Sequence, residues 1–375
     1  MKNINLLKVG NIPLKIDIDR LESQMNELEK FVMNNRYCNT LKHSQDVLFS
    51  HEIQANNFIE GYKDDVETIY EVIHKCSKIT DPKKKQRILN LYKGYRYILQ
   101  RNPIDKDNLK KLYSLLSKDL LSQRDLSKMG LYYREEPVFI YYSNRLDVNP
   151  DMGINEKEVE EYMNRLFDFI NSDNELSKSE LFIKSQLLHF YTVYIHPYFD
   201  INGRTSRTTS MWYLLNNKAY AFIIFNRAIQ LHKTEYYKVI RETKKYKNAT
   251  YFLNYIMDNT IIELQKDYIM NCIKKTCNQE LTSVDFQTLH YILSMQSNIT
   301  YLDFCKFYNN QNEKKNPTNI FNDMLLPLLE KGIIIEKEAT FKHTSCTNDS
   351  YNHYFEINKK LYDNNPDKIK YLKIR

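Results

Sequence analysis

The sequence predicts a mainly α-helical protein with one short β-hairpin and a winged-helix domain near its carboxyl end. Apolar residues recur at three- and four-residue spacing through most of the first 270 positions, which is the pattern of amphipathic helices. One interior segment of that region, Pro137–Tyr142, looks like a strand. After residue 280, three helical patterns precede two short β-like runs, which is the order of a winged helix. The length of 375 residues exceeds one compact core, so we predict three domains: a helical region at 1–100, a central core at 101–272 and the winged helix at 280–362.

Amphipathic helices account for most of the chain. In residues 18–32, Leu21, Met25, Leu28 and Val32 fall on one helix face. The same spacing predicts further helices at 64–78, 84–101, 107–119, 155–171, 179–195, 205–217, 233–244 and 250–272.

The predicted hairpin and winged helix depend on turn signals. Residues 137–142 and 146–148 flank the polar turn Ser143–Arg145, which favours a hairpin. In the winged helix, we expect helices at 286–295 and 301–308, and a third that ends at Gly332. Strands are expected at 333–335 and 353–357, and a long turn at 311–319.

Composition favours a soluble cytoplasmic protein. The net charge of +7 is spread along the chain, which is weak evidence for nucleic-acid binding. The longest apolar run, Ala219–Phe225, is too short to cross a bilayer, and no secretion signal is visible. The six cysteines show no metal-type spacing, so we expect isolated reduced thiols in the core.

The most specific motif runs from His196 to Arg207 and reads His-Pro-Tyr-Phe-Asp-Ile-Asn-Gly-Arg-Thr-Ser-Arg. Pro197 cannot continue the preceding helix, so we expect His196 on an exposed turn. The next helix is predicted to begin at about Thr205, and its amino-terminal N–H groups suit a phosphate. Gly203 would let the backbone approach a ligand closely.

Charged side chains in this motif suit nucleotide chemistry. Arg204 and Arg207 are three residues apart and can face one anion. Asp200 supplies a carboxylate oxygen of the kind that Mg²⁺ prefers. A purely structural interpretation makes His196 a helix cap and Asp200 and Asn202 turn residues. Two basic residues at a helix start are unfavourable without an anion, however, which favours a functional site.

This segment resembles the signature of the Fic family, His-Pro-Phe-x-Asp/Glu-Gly-Asn-Gly-Arg-x-x-Arg. Tyr198 replaces the Phe, and Ile201 replaces the first Gly. Because the related Doc branch has Ala there, we expect that a positive φ is not required at Ile201. The resemblance covers about residues 40–260 and includes Gly130–Ile140 as the entry to a β-hairpin flap. It implies a Fic-type helical bundle, with the winged helix as an appendage.

The resemblance also implies a protein adenylyltransferase that uses ATP and Mg²⁺. His196 would be the general base for an attacking hydroxyl, with an ordinary pKa near 6.5, and Asp200 would hold Mg²⁺. The implied phosphate ligands are Asn202, Gly203, Arg204 and Arg207. The flap residues Val138, Phe139, Ile140 and Tyr141 would cover the nucleotide and pair with a target protein, and Tyr236 and Tyr237 would wall the adenine pocket.

Upstream, Asn56-Asn-Phe-Ile-Glu60-Gly61 resembles the family's inhibitory motif, Ser/Thr-x-x-x-Glu-Gly/Asn. We call residues 56–61 the inhibitory segment. By this resemblance, Glu60 would form a salt bridge with Arg207 and block productive ATP binding. Asn56 stands where a hydroxyl residue is usual, so we expect a lost contact and weaker inhibition. A surface Glu before a capping Gly is the alternative interpretation.

Other functions stay open at this point. The winged helix could make the chain a DNA- or protein-binding regulator, but its third helix contains Asp323 and Glu330 and few cations. We therefore expect a protein-docking or dimer module. A Fic enzyme could also transfer UMP or phosphocholine. Self-modification and a homodimer are compatible with the sequence.

Overall fold

The computed structural model describes residues 8–9, 12–34, 45–76, 79–141, 150–172, 175–277, 280–295, 299–338 and 353–361. Helices dominate these residues. The amino-terminal part contains α1 (Ile18–Asn34), α2 (Gln45–Ile59), α3 (Val66–Ile73), α4 (Pro82–Ile98), α5 (Lys106–Ser117) and α6 (Gln123–Leu126). The central part contains α7 (Val159–Asn171), α8 (Lys178–Ile195), α9 (Asn202–Asn216), α10 (Phe225–Leu231), α11 (Lys233–Tyr246) and α12 (Thr250–Thr276). The carboxyl-terminal part contains α13 (Ser283–Ser294), α14 (Tyr301–Gln311), α15 (Pro317–Ile320) and α16 (Leu326–Glu330), with a π-helical turn between the last two.

Short antiparallel strands complete the fold. They are β1 (Lys8–Val9), β2 (Ile12–Pro13), β3 (Phe139–Ile140), β4 (Asp151–Met152), β5 (Ile299–Thr300), β6 (Ile334–Glu338) and β7 (His353–Ile357). β1 pairs with β2, β3 pairs with β4, and the third sheet has the order β5–β7–β6. In the second sheet, Phe139 lies opposite Met152 and Ile140 lies opposite Asp151.

The helical prediction is confirmed for every segment before residue 275, whereas the strand prediction was incomplete. The β1–β2 pair was missed, because two-residue strands have no alternation to detect. The flap hairpin exists, but its return strand is β4; the predicted turn and strand at 142–148 lie outside the described residues. In the carboxyl-terminal part, the predicted helices and strands occur in the expected order, and β5 is an additional strand.

The predicted turn at 311–319 is shorter than expected. Helix α14 extends to Gln311, and α15 already begins at Pro317. Asn316 caps that helix by accepting a hydrogen bond from the Asn319 N–H at 2.9 Å, and Pro at the first helical position is favourable.

Two hydrophobic cores organise these elements. The first extends from Leu14 to Leu264 and includes the helices of both the predicted 1–100 and 101–272 regions. The second extends from Ile269 to Ile357 and joins the end of α12 to the elements that follow it. Helix α12 belongs to both, because Leu264 packs in the first core and Ile269 and Ile273 pack in the second. The predicted domain boundaries stay predictions.

Helices α8 and α9 lie at the centre of the first core. Almost every residue of α8 from Ser179 to Ile195 is buried, and so is almost every residue of α9. Because both helices are buried on all sides, the two ends of the loop between them, residues 196–201, are held in fixed positions.

The structure also bears on the expectations about membrane-spanning segments and cysteines. No helix among the described residues is long and apolar enough to cross a membrane. Cys76, Cys272, Cys277 and Cys305 are free; Cys305 is buried and half-buried Cys277 packs against the second core, so the expectation of core thiols is wrong for Cys76 and Cys272. Cys38 and Cys346 lie outside the described residues.

Candidate active site

His196 is presented by the end of helix α8. It adopts a left-handed conformation (φ 54°, ψ 61°), and its N–H donates to the Thr192 carbonyl at 3.0 Å. Pro197 then prevents another helical turn. The ring Nδ1 lies 3.2 Å from the Val193 carbonyl oxygen. Because a carbonyl only accepts hydrogen bonds, Nδ1 carries the proton and Nε2 keeps a lone pair.

The environment of His196 favours the neutral imidazole. Burial, with a smaller effect of the nearby cations Arg134 and Lys244, lowers the pKa of His196 to about 4 against the opposing effects of the Val193 hydrogen bond and Glu60. The ordinary pKa expected from the sequence is therefore wrong, since it took the ring to be exposed. A neutral ring can accept a proton at neutral pH.

This pKa gives a direct prediction. An NMR titration of the His196 ring should show no titration midpoint between pH 8 and pH 5, because the pKa lies near 4. The signal is assigned by its loss in His196→Asn, and a free histidine in the same buffer, which titrates near pH 6.5, is the control. A midpoint above pH 6 for His196 would contradict the description of its surroundings.

Asp200 lies in the loop with its side chain exposed. Its Oδ1 accepts a hydrogen bond from the Ile201 N–H at 2.5 Å. The described residues contain no group of three or more His, Cys, Asp or Glu side chains that could hold a metal ion. A single accessible carboxylate nevertheless fits Mg²⁺, which commonly binds one or two carboxylates, several waters and the phosphates of a substrate.

Ile201 departs from the expectation for its position. It lies immediately before α9 with φ 64°, in the left-handed region, and its side chain is buried. A β-branched residue is strained there, so the inference that no positive φ is required at this position was wrong. Helix α9 starts directly after this strained residue, at Asn202, three residues earlier than predicted. The Ile201 carbonyl accepts the first hydrogen bond of the helix, from the Thr205 N–H at 3.0 Å.

Asn202 and Arg204 have different roles in this structure. The Asn202 amide bonds within the loop: its oxygen accepts from the Tyr198 N–H at 3.0 Å and its nitrogen donates to the Tyr198 carbonyl at 2.8 Å. Arg204 is only 7% exposed, and its Nε has no acceptor among the described residues. A buried guanidinium that lacks an acceptor in the first turn of a helix is suited to an anionic ligand.

Arg207 is held by the inhibitory segment. Its Nη2 lies 2.5 Å from Glu60 Oε1. Asn56 Oδ1 accepts from Arg207 Nε at 3.0 Å and from Nη2 at 2.7 Å. Arg207 is 1% exposed, and both its Nε and its Nη2 donate to the side chains of this segment.

The expectation that Asn56 loses a contact was therefore wrong. The longer amide reaches Arg207 with two hydrogen bonds, and its Nδ2 donates to the Tyr95 hydroxyl at 3.1 Å. Gly61 ends the turn after α2 with φ 95°. Only Gly adopts this backbone conformation without strain.

The Glu60 carboxylate lies against the first turn of α9. A β-carbon at position 203 would clash with Glu60 Oε1, so Gly203 provides the space for that carboxylate. Burial alone would raise the pKa of Glu60, but the cations Arg207, Arg204 and Lys233 outweigh it and lower the pKa. Glu60 is therefore an anion at neutral pH and occupies the position expected for a phosphate.

The contacts of Asn56 yield a stability prediction. Asn56→Ala should lower the free energy of unfolding by about 1.5–3 kcal/mol, because two hydrogen bonds to a buried charged group are lost. Chemical denaturation measures the loss. Asn56→Ser, which restores a smaller acceptor, should fall between the alanine variant and wild type. Equal stability of all three proteins would show that Asn56 does not hold Arg207.

Arg134 links the flap to the loop and was assigned no role from the sequence. Its Nε donates to the His196 carbonyl at 2.8 Å, its Nη1 donates to the Glu136 carbonyl at 2.8 Å, and its Nη2 donates to the Ile154 carbonyl. Its backbone N–H donates to the Pro197 carbonyl at 2.9 Å. Nothing in the sequence distinguishes this buried arginine from a surface one, except its place at the entry to the flap.

The other predicted site residues lie in two places. On the flap, Val138 and Ile140 are buried, whereas Phe139 and Tyr141 are 54% and 62% exposed. Tyr236 is buried in the core, where its hydroxyl lies 2.8 Å from His189 Nε2. Tyr237 donates to the Ile59 carbonyl beside the inhibitory segment at 2.8 Å. An adenine-binding role for these two tyrosines stays a prediction.

Comparison with known proteins agrees with this arrangement. Residues 103–214 match the model of the Fic/DOC family, and that range includes the whole motif. The chain is similar to the crystal structure of a Fic family protein from Desulfovibrio desulfuricans G20, with 17% identity, a TM-score of 0.56, and 91% of this chain and 95% of that chain covered. It is also similar to a variant of Fic-1 from C. elegans, with 15% identity, a TM-score of 0.50, and 69% and 73% of the two chains covered. At these identities, the likeness shows the fold.

A search of curated protein sequences gives no match. The family match shows a Fic/DOC domain at residues 103–214, around the motif, and the shared fold agrees with it; together they support a transferase of the Fic type.

Proposed function

We propose that this protein transfers AMP from ATP to a hydroxyl side chain of another protein, and that Glu60 keeps the resting enzyme inactive. The observation that supports the proposal is the contact of Arg207 with Glu60 and Asn56, one turn from Arg204, whose Nε has no acceptor in the described part of the chain. A carboxylate of the protein itself occupies an anion site beside a histidine base. Displacement of that carboxylate by a phosphate is the switch that we infer.

The chemistry follows from the positions of the side chains. His196 Nε2 takes the proton of the attacking hydroxyl, whose oxygen forms a bond to the α-phosphorus as the bond to pyrophosphate breaks. Arg204, Arg207 and the N–H groups at the start of α9 stabilise the phosphate oxygens. Mg²⁺ held by Asp200 would neutralise part of the phosphate charge.

The flap supplies a docking edge for the target. Strand β3 and its two flanking residues have exposed Phe139 and Tyr141 side chains alternating with buried Val138 and Ile140. An extended target segment can add to such an edge through main-chain hydrogen bonds. Its hydroxyl would then be presented to His196, which Arg134 connects to the flap. The carboxyl-terminal helices and the β5–β7–β6 sheet are proposed to dock a protein rather than DNA.

Labelled nucleotides test the reaction class directly. The Glu60→Gly variant is incubated with ATP labelled at the α-phosphate, with ATP labelled at the γ-phosphate, or with α-labelled UTP. AMP transfer predicts protein labelling from α-labelled ATP alone. Labelling from γ-labelled ATP would indicate a phosphotransferase, and preferential labelling from UTP would indicate UMP transfer; either result rejects the proposal.

Asp200 is tested through the metal. Asp200→Ala should reduce transfer strongly and shift its Mg²⁺ dependence to higher concentration, because no other carboxylate lies in the loop at residues 196–207. The measurement is label incorporation across an Mg²⁺ titration. Asp168→Ala, on helix α7, is the control and should behave as wild type. Superimposable Mg²⁺ curves for Asp200→Ala and wild type would reject the metal assignment.

A further inference from the structure

A cavity of about 110 Å³ lies between helix α2, the segment at 220–227, and the junction of α12 with α13. It is separate from the site around His196: none of the motif residues lines it. Leu48, Ile224, Met270 and Phe286 are among its apolar lining residues. Its position matters because α2 is the helix that leads directly into the inhibitory segment.

The polar groups of the cavity differ between its two ends. At the inner end, Arg227 is already paired, with Glu52 at 3.2 Å and with Asp267 at 3.0 Å. His51 lies beside this pair; it is 9% exposed, and its Nε2 has no hydrogen-bond partner among the described residues. A buried polar atom without a partner at the wall of a cavity indicates a missing ligand group or water.

The outer end is cationic. Lys274 is exposed and lies over the Phe286 ring, with its Nζ 5.7 Å from the ring centroid. No ion pair of Lys274 occurs among the residues that the structure describes. Lys274 is two turns from Asp267 along α12, so the Cα atoms of these two lining residues lie roughly 10 Å apart along the helix axis.

These features define the chemistry of an occupant. The apolar walls and the Phe286 ring suit an aromatic body. Lys274 suits a carboxylate at the outer end. His51 Nε2 suits a hydroxyl, which both donates and accepts hydrogen bonds and so serves either tautomer.

Occupancy of the cavity is connected to Glu60 through one helix. Val47, Leu48 and His51 of α2 line the cavity, and Glu60 follows the same helix roughly 13 Å further along its axis. The cavity exists in the conformation in which Glu60 holds Arg207. A molecule that fills it therefore stabilises this conformation over one in which α2 has moved.

We propose that this cavity is a regulatory site for a small hydroxyaromatic carboxylic acid, and that binding there strengthens inhibition by Glu60. The regulatory consequence rests on the proposed function of the Fic motif, whereas the binding site does not. Binding and transfer are therefore measured separately.

Calorimetric titration with 4-hydroxyphenylacetate and with phenylacetate tests the site. Both should bind the full chain saturably, in the millimolar range or tighter. The hydroxyl compound should bind about 2- to 13-fold more tightly, the effect of one net hydrogen bond. Leu48→Trp, which fills the cavity, should abolish binding. Lys274→Ala should weaken it, whereas Lys275→Ala, the exposed neighbour that does not line the cavity, should not.

Hydrogen exchange and transfer assays test the coupling. Bound 4-hydroxyphenylacetate should slow amide exchange across residues 45–60, and should lower label transfer by wild type but not by Glu60→Gly. Absence of saturable binding, or equal binding by Leu48→Trp, overturns the site. Binding with unchanged exchange at 45–60 overturns the coupling. Binding with slowed exchange, but no transfer by any variant, supports the site and rejects the proposed AMP transfer instead.

Discussion

Glu60→Gly should raise label transfer from ATP by about 5- to 150-fold, the range that corresponds to a coupling of about 1–3 kcal/mol. The carboxylate lies 2.5 Å from Arg207 Nη2 and fills the space beside Gly203. It contributes no atom to the proposed reaction. Its removal therefore vacates the contact with Arg207 and the space beside Gly203 for the γ-phosphate, and leaves His196, Asp200 and Arg204 unchanged.

Two matched variants separate this explanation from general loosening of the fold. Glu60→Gln keeps the shape and one acceptor but loses the charge, so its transfer rate should lie between those of wild type and Glu60→Gly. Arg207→Ala should lower transfer both in wild type and in Glu60→Gly, because it deletes the phosphate contact itself. If Glu60→Gly is no faster than wild type at one ATP concentration, the inhibitory segment is only part of the scaffold.

The pKa of Glu60 limits how acid can affect this contact. The cations around the carboxylate lower its pKa below the usual value. The ion pair with Arg207 therefore contributes its full stabilisation at every pH above that usual value. It is lost only as the pH falls through the lowered value. Mild acidification to pH 5 should therefore not release Arg207.

The helices and the motif could be predicted from the sequence because each depends on local information. The spacing of apolar residues marks α8 and α9, and Pro197 marks the turn between them. Helix bounds were less accurate, since Ile201 takes the left-handed conformation that starts α9 early. A β-branched residue gives no local sign of such a conformation, which is imposed by the surrounding core.

The contacts around the site depend on tertiary structure and were partly missed. Asn56 and Arg207 are 151 residues apart in the chain, and only the fold shows that the amide reaches the guanidinium twice. Arg134 reaches the His196 carbonyl across 62 residues. The low pKa of His196 has the same origin, because burial comes from distant elements that no local pattern specifies.

His196→Ala should reduce transfer by about 10²- to 10⁴-fold, the usual contribution of a general base, while ATP binding stays close to that of the parent. The comparison is made in the Glu60→Gly background, where the starting rate is highest. The imidazole acts on the proton of the attacking hydroxyl, which is lost only in the transition state. Its removal should therefore change the transfer rate and leave the ground-state affinity for ATP, measured by calorimetry, nearly constant.

The left-handed backbone at His196 requires a control for geometry. Asn tolerates that conformation better than Ala, so His196→Asn preserves the turn between α8 and α9 but supplies no base. Both variants should be equally inactive if the ring acts as the base. If His196→Asn transfers label much faster than His196→Ala, residue 196 acts through the shape of the loop. Retention of more than about a hundredth of the parent rate by both variants would exclude a general-base role for His196, because even the lower limit of that effect is about 10².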